Sequence, residues 1–226
     1  MSATASKPEI RQWGSHATPV FSTRYPSEGV LNRELRKFIL DQESQGERYR
    51  NPDYIPSNQV GIFESSFDLF KDLNRAIQEL KGFFLHGILH AVMETNGYSA
   101  DEAGRLRVMT DAWYHVTRFG GYISSHIHSN ATWSAVYMVD PGVHPDDRPA
   151  GGVLNFKDPR VTANMYLDPG NQQWRPPYHL GSVNYEMKPG DLLVFPSFIQ
   201  HEVTPYFGEA PRITVAANCS FRWQDS

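Results

Sequence analysis

Periodicity changes once along this chain, near residue 105, and that change limits the folds open to it. Before it, apolar residues recur at helical spacing: Leu31, Leu35, Phe38, Ile39 and Leu40, then Phe67, Leu69, Phe70, Leu73, Ile77, Leu80, Phe84, Ile88 and Val92. The first set predicts a short amphipathic helix over Leu31–Glu43. The second predicts a helical region from about Ser66 to the stop signal Asn96-Gly97, with Gly82 or Gly87 as points of interruption. Beyond residue 105, short β-rich runs separated by Gly, Pro and Asp take over. They predict strands near Arg107–Thr117, Ser124–His128, Ser134–Val139, Gly152–Asn155, Ser182–Glu186, Leu192–Phe195, His201–Tyr206 and Ile213–Phe221. One further strand is expected near Thr18–Ser22, and Pro52, Pro56 and Gly61 mark a loop. Short strands following helices predict an all-β core with helices (α+β), a sandwich or barrel buttressed on one face by the N-terminal helices.

The 226 residues, 40% of them hydrophobic and 13% aromatic, suffice for one domain with a substantial core. Residues 1–105 are expected to form an arm and helices, and residues 106–226 the β core. A core of that size needs no structural metal, so a metal here would be functional. The net charge of -4, with no Lys/Arg run, argues against a nucleic-acid partner or an anionic membrane surface. A lone cysteine, Cys219, leaves no intrachain disulfide and no Cys-based zinc site. The stretch Met1–Arg11 is polar without the apolar core of a signal sequence, and Phe83–Met93 is too short to span a bilayer. A cytoplasmic protein is therefore expected.

Three features carry chemistry. His126-Ile127-His128 follows Gly120-Gly121, and residues two apart on a strand share a face, so both imidazoles can reach one metal. His201 follows Phe195-Pro196-Ser197. Arg212-Ile213-Thr214 again puts alternate residues on one face, a guanidinium fork for a carboxylate with a hydroxyl beside it. Imidazoles with open positions left at the metal suit oxygen chemistry.

With these residues in view, the chain resembles the iron and 2-oxoglutarate-dependent oxygenases, and more narrowly a bacterial group of them. The resemblance rests on Trp113, on His126-Ile127-His128-Ser129-Asn130 leading through Trp133-Ser134 to Val136-Tyr137, on Phe195-Pro196-Ser197 with His201, and on Arg212-Ile213-Thr214 with Asn218. It covers about the second half of the chain and implies a double-stranded β-helix, the jelly roll shared with cupins. It implies His126 and His201 as iron(II) ligands, and Arg212 with Thr214 on the distal carboxylate of 2-oxoglutarate. O2 is the co-oxidant, and succinate and CO2 leave as a small-molecule substrate is oxidised, by default hydroxylated. Tyr137 is expected on the inward parity, touching the cosubstrate, and His115 on the neighbouring strand, lining the substrate cavity. Trp133, Arg148 and Trp174 are further candidates for the substrate.

The chain departs from the superfamily pattern at one position, where His128 stands in place of the usual carboxylate ligand. Either His128 ligates, as same-face placement favours, or it sits beside the metal while water completes the shell. A three-histidine cupin-type dioxygenase or isomerase is therefore the alternative, although Ala131–Ser134 offers no glutamate of the cupin kind. A non-catalytic metal-binding or ligand-binding jelly roll is a third reading. Other candidates have plainer readings. His86 and His90 share a helix face without the general-base glutamate of a zinc peptidase, since Gly87 follows His86. His144 and His179 fall in polar loops and are expected to be solvated; Asp140, Asp158 and Asp191 read as turn residues. The long segments Pro141–Ala150 and Asp158–Pro177 are candidate lids. The N-terminal helices are a candidate face for a homodimer.

Overall fold

In a computed structural model, residues 17–143, 145, 148, 151–163 and 165–224 are described. The polar N-terminal arm, His144 and Asn164 lie outside them. The strands are β1 (Phe21–Arg24), β2 (Gln59–Glu64), β3 (Leu106–His126), β4 (Trp133–Asp140), β5 (Leu154–Phe156), β6 (Val183–Tyr185), β7 (Asp191–Pro196), β8 (His201–Val203) and β9 (Arg212–Trp223). The helices are α1 (Glu28–Glu43), α2 (Arg75–Asn96) and α3 (Ala100–Gly104). The strands form one curled antiparallel sheet in the order β1-β7-β4-β9-β3-β8-β5-β6, with β2 added beside β3. The curl makes the half-barrel of a double-stranded β-helix, with α1 and α2 against its outer face.

The sheet alternates as period-2 geometry demands. Ala112, Tyr114 and Val116 of β3, Ala135, Tyr137 and Val139 of β4, and Ile213, Val215, Ala217 and Cys219 of β9 join the helices in one core. That core takes Leu31, Leu35 and Ile39 from α1 and Ile77, Leu80, Phe84 and Ile88 from α2. The opposite parity faces the barrel interior, where Met138, Leu154, Phe156, Leu193, Phe195 and Val203 pack together.

Helix α2 is unbroken at both glycines. Asn74 caps it by accepting from the Ala76 N–H at 2.9 Å, and Gly97 ends it at φ 71°. Gly87 is a packing device: a Cβ there would lie 2.9 Å from a Leu192 methyl, so the helix sits directly on β7. The helix starts later than Ser66, because Leu69–Lys71 form a separate 3-10 turn.

Strand β2, read from sequence as loop, departs from expectation most. Its alternation is interrupted at Gly61, which adopts φ 63° while the β2/β3 register shifts between Val60 and Ile62. A Cβ on Gly61 would lie 2.9 Å from the Gly121 Cα, so the two backbones cross where only glycine fits. Here β3 bends: Leu106–Thr117 pair with β9, whereas Ile123 and His126 pair with β8. That bend carries His126 across the barrel to His201. No helix among the described residues is long and apolar enough to cross a membrane.

Candidate metal centre

His126, the last residue of β3, stands opposite His201, the first of β8, in register. His128 lies just past the strand, where its backbone N–H donates to the Ser197 carbonyl at 3.0 Å. That tie returns the chain to the metal face after Ile127 points outward. The ring centroids are 4.3 Å apart for His126 and His201, 5.0 Å for His126 and His128, and 5.1 Å for His128 and His201. One nitrogen of each ring lies within 4.8 Å of the others.

The proton positions suit a metal. Nδ1 of His126 lies 2.8 Å from the Ser124 carbonyl, and Nδ1 of His201 lies 2.8 Å from the Ile199 carbonyl. A carbonyl only accepts, so each Nδ1 holds the proton and each Nε2 presents a lone pair. Burial also holds the rings neutral. It lowers His126, and it lowers His128 to about 3 and His201 to about 4, with repulsion from the neighbouring imidazoles adding to both. Three neutral nitrogen donors are what iron, zinc, copper or nickel would take. The cluster contains no carboxylate, so the donor set is three-histidine rather than two-histidine, one-carboxylate.

Arg212 and Thr214 open β9 on the interior face, Thr214 in register with His115 on one side and Met138 on the other. Arg212 is 3% exposed, and burial pulls its guanidinium down to about 10, which leaves it charged at neutral pH. Among the described residues no ion pair neutralises it. It lines a cavity of about 190 Å³ with Met138, Gly152, Tyr185 and Met187, where Glu186 and Lys188 also stand. A larger groove of about 860 Å³, between Glu43, Arg50 and Arg118, holds none of the histidines.

His115 and Trp113 share the interior face of β3. His115 Nε2 lies 2.8 Å from Glu64 Oε2 and 3.1 Å from the Trp113 indole nitrogen, and the Trp113 ring is 5.9 Å from that of His128. Glu64 was not foreseen; the only signal in the sequence was an acid ending a short β-prone run interrupted by glycine.

Five placements differ from expectation. Tyr137 faces the helices: its hydroxyl donates to Asn32 Oδ1 at 2.7 Å and its ring meets Phe83 and Phe84. Tyr137 lies eleven residues from His126, an odd separation that falls on the opposite face, and the inward set of β4 is Ser134, Val136 and Met138. Trp133 follows Tyr137 onto the helix side, packed near Phe21. Arg148 stacks on Phe207 at 4.4 Å, in the segment that pairs with Gly120. About 20 Å of extended strand separate Gly120 from His126. Trp174 is half exposed and donates to the Gly170 carbonyl within its own loop. His179, expected in solvent, is half-buried with Nδ1 shielded and unpartnered among the described residues. His86 and His90 are exposed, and Asp140, Asp158 and Asp191 accept turn N–H bonds.

A protein-family model described as "Putative 2OG-Fe(II) oxygenase" matches residues 111–218, the span that holds all three histidines, Arg212 and Thr214. No curated protein matches the chain. Among solved structures, a Pseudomonas putida prolyl-4-hydroxylase is similar with a TM-score of 0.60 at 18% identity, covering 92% of this chain and 94% of that one. The epimerase SnoN from nogalamycin biosynthesis, described as alpha-ketoglutarate dependent, gives 0.59 at 10% identity, covering 92% and 80%. HygX from Streptomyces hygroscopicus, solved with nickel, 2-oxoglutarate and hygromycin B, gives 0.54 at 11%, covering 90% and 83%. At these identities the structures speak for the fold, and the family match speaks for descent. Residues 111–218 are thus similar to the 2OG-Fe(II) oxygenases, and the fold that carries them is a double-stranded β-helix.

Proposed function

We propose that the protein is a metal-dependent oxygenase with iron(II) held by His126, His128 and His201. The observation that carries this is the convergence of three neutral imidazoles, His201 buried and the other two half-buried, two of them with the proton fixed on the far nitrogen. Three protein ligands leave positions for an oxidant and a substrate. When bound, the iron supplies the activation of O2, a step that no side chain here performs.

Within that class, 2-oxoglutarate is the cosubstrate we favour. Arg212 is a buried cation without a carboxylate partner among the described residues, beside a cavity, and burying such a charge is costly unless an anion joins it. Its fork would hold the distal carboxylate, with Thr214 adding a hydrogen bond. Ser124 and Ile199 orient two rings through their carbonyls, and the apolar interior around Phe156 and Phe195 excludes water. Trp113 and His115 stand beside His128, on the side we assign to a small-molecule substrate. The β5–β6 loop leaves and re-enters the sheet beside His201, because Phe156 pairs with both His201 and Val183.

A second reading is favoured by the donor set itself. Three neutral imidazoles with no carboxylate are the pattern of cupin-type dioxygenases and isomerases, which need no 2-oxo acid. Oxygen uptake and succinate release by the iron(II)-loaded protein, with and without 2-oxoglutarate and across a metabolite pool, separate the two. Succinate formation that depends on 2-oxoglutarate and is lost in Arg212→Met supports the first. Oxygen uptake or isomerisation indifferent to 2-oxoglutarate supports the second, and a protein that retains no transition metal ends both.

A further inference from the structure

A divalent cation among three neutral ligands keeps its full charge, and Arg212 adds another positive charge to the same interior. Among the described residues, one buried carboxylate stands on this face of the sheet. Glu64 is 3% exposed, and both its oxygens are engaged: Oε1 accepts from Asn51 at 2.7 Å, and Oε2 accepts from Gln59 at 2.7 Å and faces His115 at 2.8 Å. Burial alone would raise its carboxyl, but the bonds from His115, Asn51 and Gln59 outweigh that and hold it below its ordinary value. It is ionised at neutral pH. From Glu64 the contacts run inward through His115 to Trp113, whose ring meets His128. Strand β2 exists at this edge only through the Gly61–Gly121 crossing, and its inward residues are Ile62 and Glu64.

We propose that Glu64, held by His115, is a positioning residue that supplies from outside the ligand set the negative charge a carboxylate ligand would bring, and so sets the metal affinity and redox potential of the centre. This rests on the three-histidine metal reading above. The charge acts across a low-dielectric interior, where fields are weakly screened. Its removal leaves the three ligands in place and makes the cavity more positive. Metal affinity should fall and the reduced ion should be favoured.

The test is calorimetric titration of Co(II) into the metal-free protein, with the Fe(III)/Fe(II) midpoint potential measured on the iron-loaded form. Glu64→Gln is expected to weaken Co(II) by about tenfold, the lower end for residues just beyond a metal's ligands, and to raise the potential. Gln59→Leu, which removes a hydrogen bond from Glu64 and keeps its charge, should stay close to wild type in both. Equal affinity in Glu64→Gln and wild type overturns the proposal, as does an equal loss in Gln59→Leu, which would mark Glu64 as a tie between β2 and β3. If circular dichroism shows Glu64→Gln unfolded, Gln59→Lys, which sets a cation against Glu64 Oε2, replaces it, and wild-type affinity there is the overturning result. A wild type that binds no Co(II) fails at the metal reading instead, so the two failures are distinct.

Discussion

The two faces of one sheet do different work with alternate residues of the same strands. On β9, Ile213, Val215, Ala217 and Cys219 meet the helices, while Arg212 and Thr214 enter the barrel. On β3, Tyr114 and Val116 serve the helix core, and Trp113 and His115 serve the metal side. The helix face is apolar and closed by Leu35, Ile77, Leu80 and Phe84. The interior face carries a buried cation, a buried carboxylate and three imidazoles, one buried and two half-buried, groups whose desolvation opposes folding. Packing against the helices therefore occupies one face and the proposed ligand site the other, a separation that period-2 geometry permits.

The sharpest break of this comparison is His201→Ala. Loss of one of three ligands should weaken Co(II) binding on the order of a hundredfold or more, while thermal unfolding of the metal-free protein is unchanged or later. On the opposite face, Leu80→Ala should cost about 2–5 kcal/mol in denaturant unfolding, with metal affinity of the folded fraction unaltered. A change in both quantities from either substitution would refute the division.

Arg212→Met should reduce 2-oxoglutarate affinity by the roughly 2–5 kcal/mol lost when a buried charge pair is truncated. It should leave metal affinity nearly intact. Stability without ligand should hold or rise, since an apolar side chain replaces an uncompensated buried cation. Tyr137→Phe, one strand away in space but on the helix side, should cost about 1 kcal/mol through the lost bond to Asn32. Isothermal titration should find its 2-oxoglutarate affinity equal to wild type; a tenfold loss would return Tyr137 to the cosubstrate.

The mildest effect is expected from pH just below neutrality. His128 and His201 are lowered to about 3 and 4, mainly by burial, so unfolded chains bind more protons than folded ones below the ordinary value near 6.5. Their contribution is fully present above 6.5 and is lost as pH falls towards 4 and then 3. Denaturant unfolding of the metal-free protein between pH 7.5 and 5 should show a slope that flattens in His128→Asn. A slope unchanged by that substitution would assign the acid sensitivity elsewhere.

Much of this arrangement was legible in the residues because its signals are local. His126-x-His128, His201 and Arg212-x-Thr214 stand at spacings that a strand converts into a shared face, and helical recurrence from Leu31 to Val92 located both long helices. Tyr137 was misassigned because its odd separation from His126 does not give a shared face, and period-2 geometry puts it on the opposite one. Glu64 was missed because Gly61 interrupts the alternation of β2, and no property of that short run reveals which strand it joins. Trp174 and Arg148 were chosen by residue type within loops, where type says little about direction.

What the sequence determined alone is the order of the long helices and of the strands after residue 105, the candidate metal donors and the placing of an arginine two residues from a threonine, set by spacing within single elements. Tertiary structure alone decided that β3 bends at Gly120-Gly121 to bring His126 to His201, that His128 turns back through Ser197, and that a carboxylate from an added edge strand stands behind His115. These depend on contacts between segments distant in the chain, and the energy of such contacts is written in no local pattern.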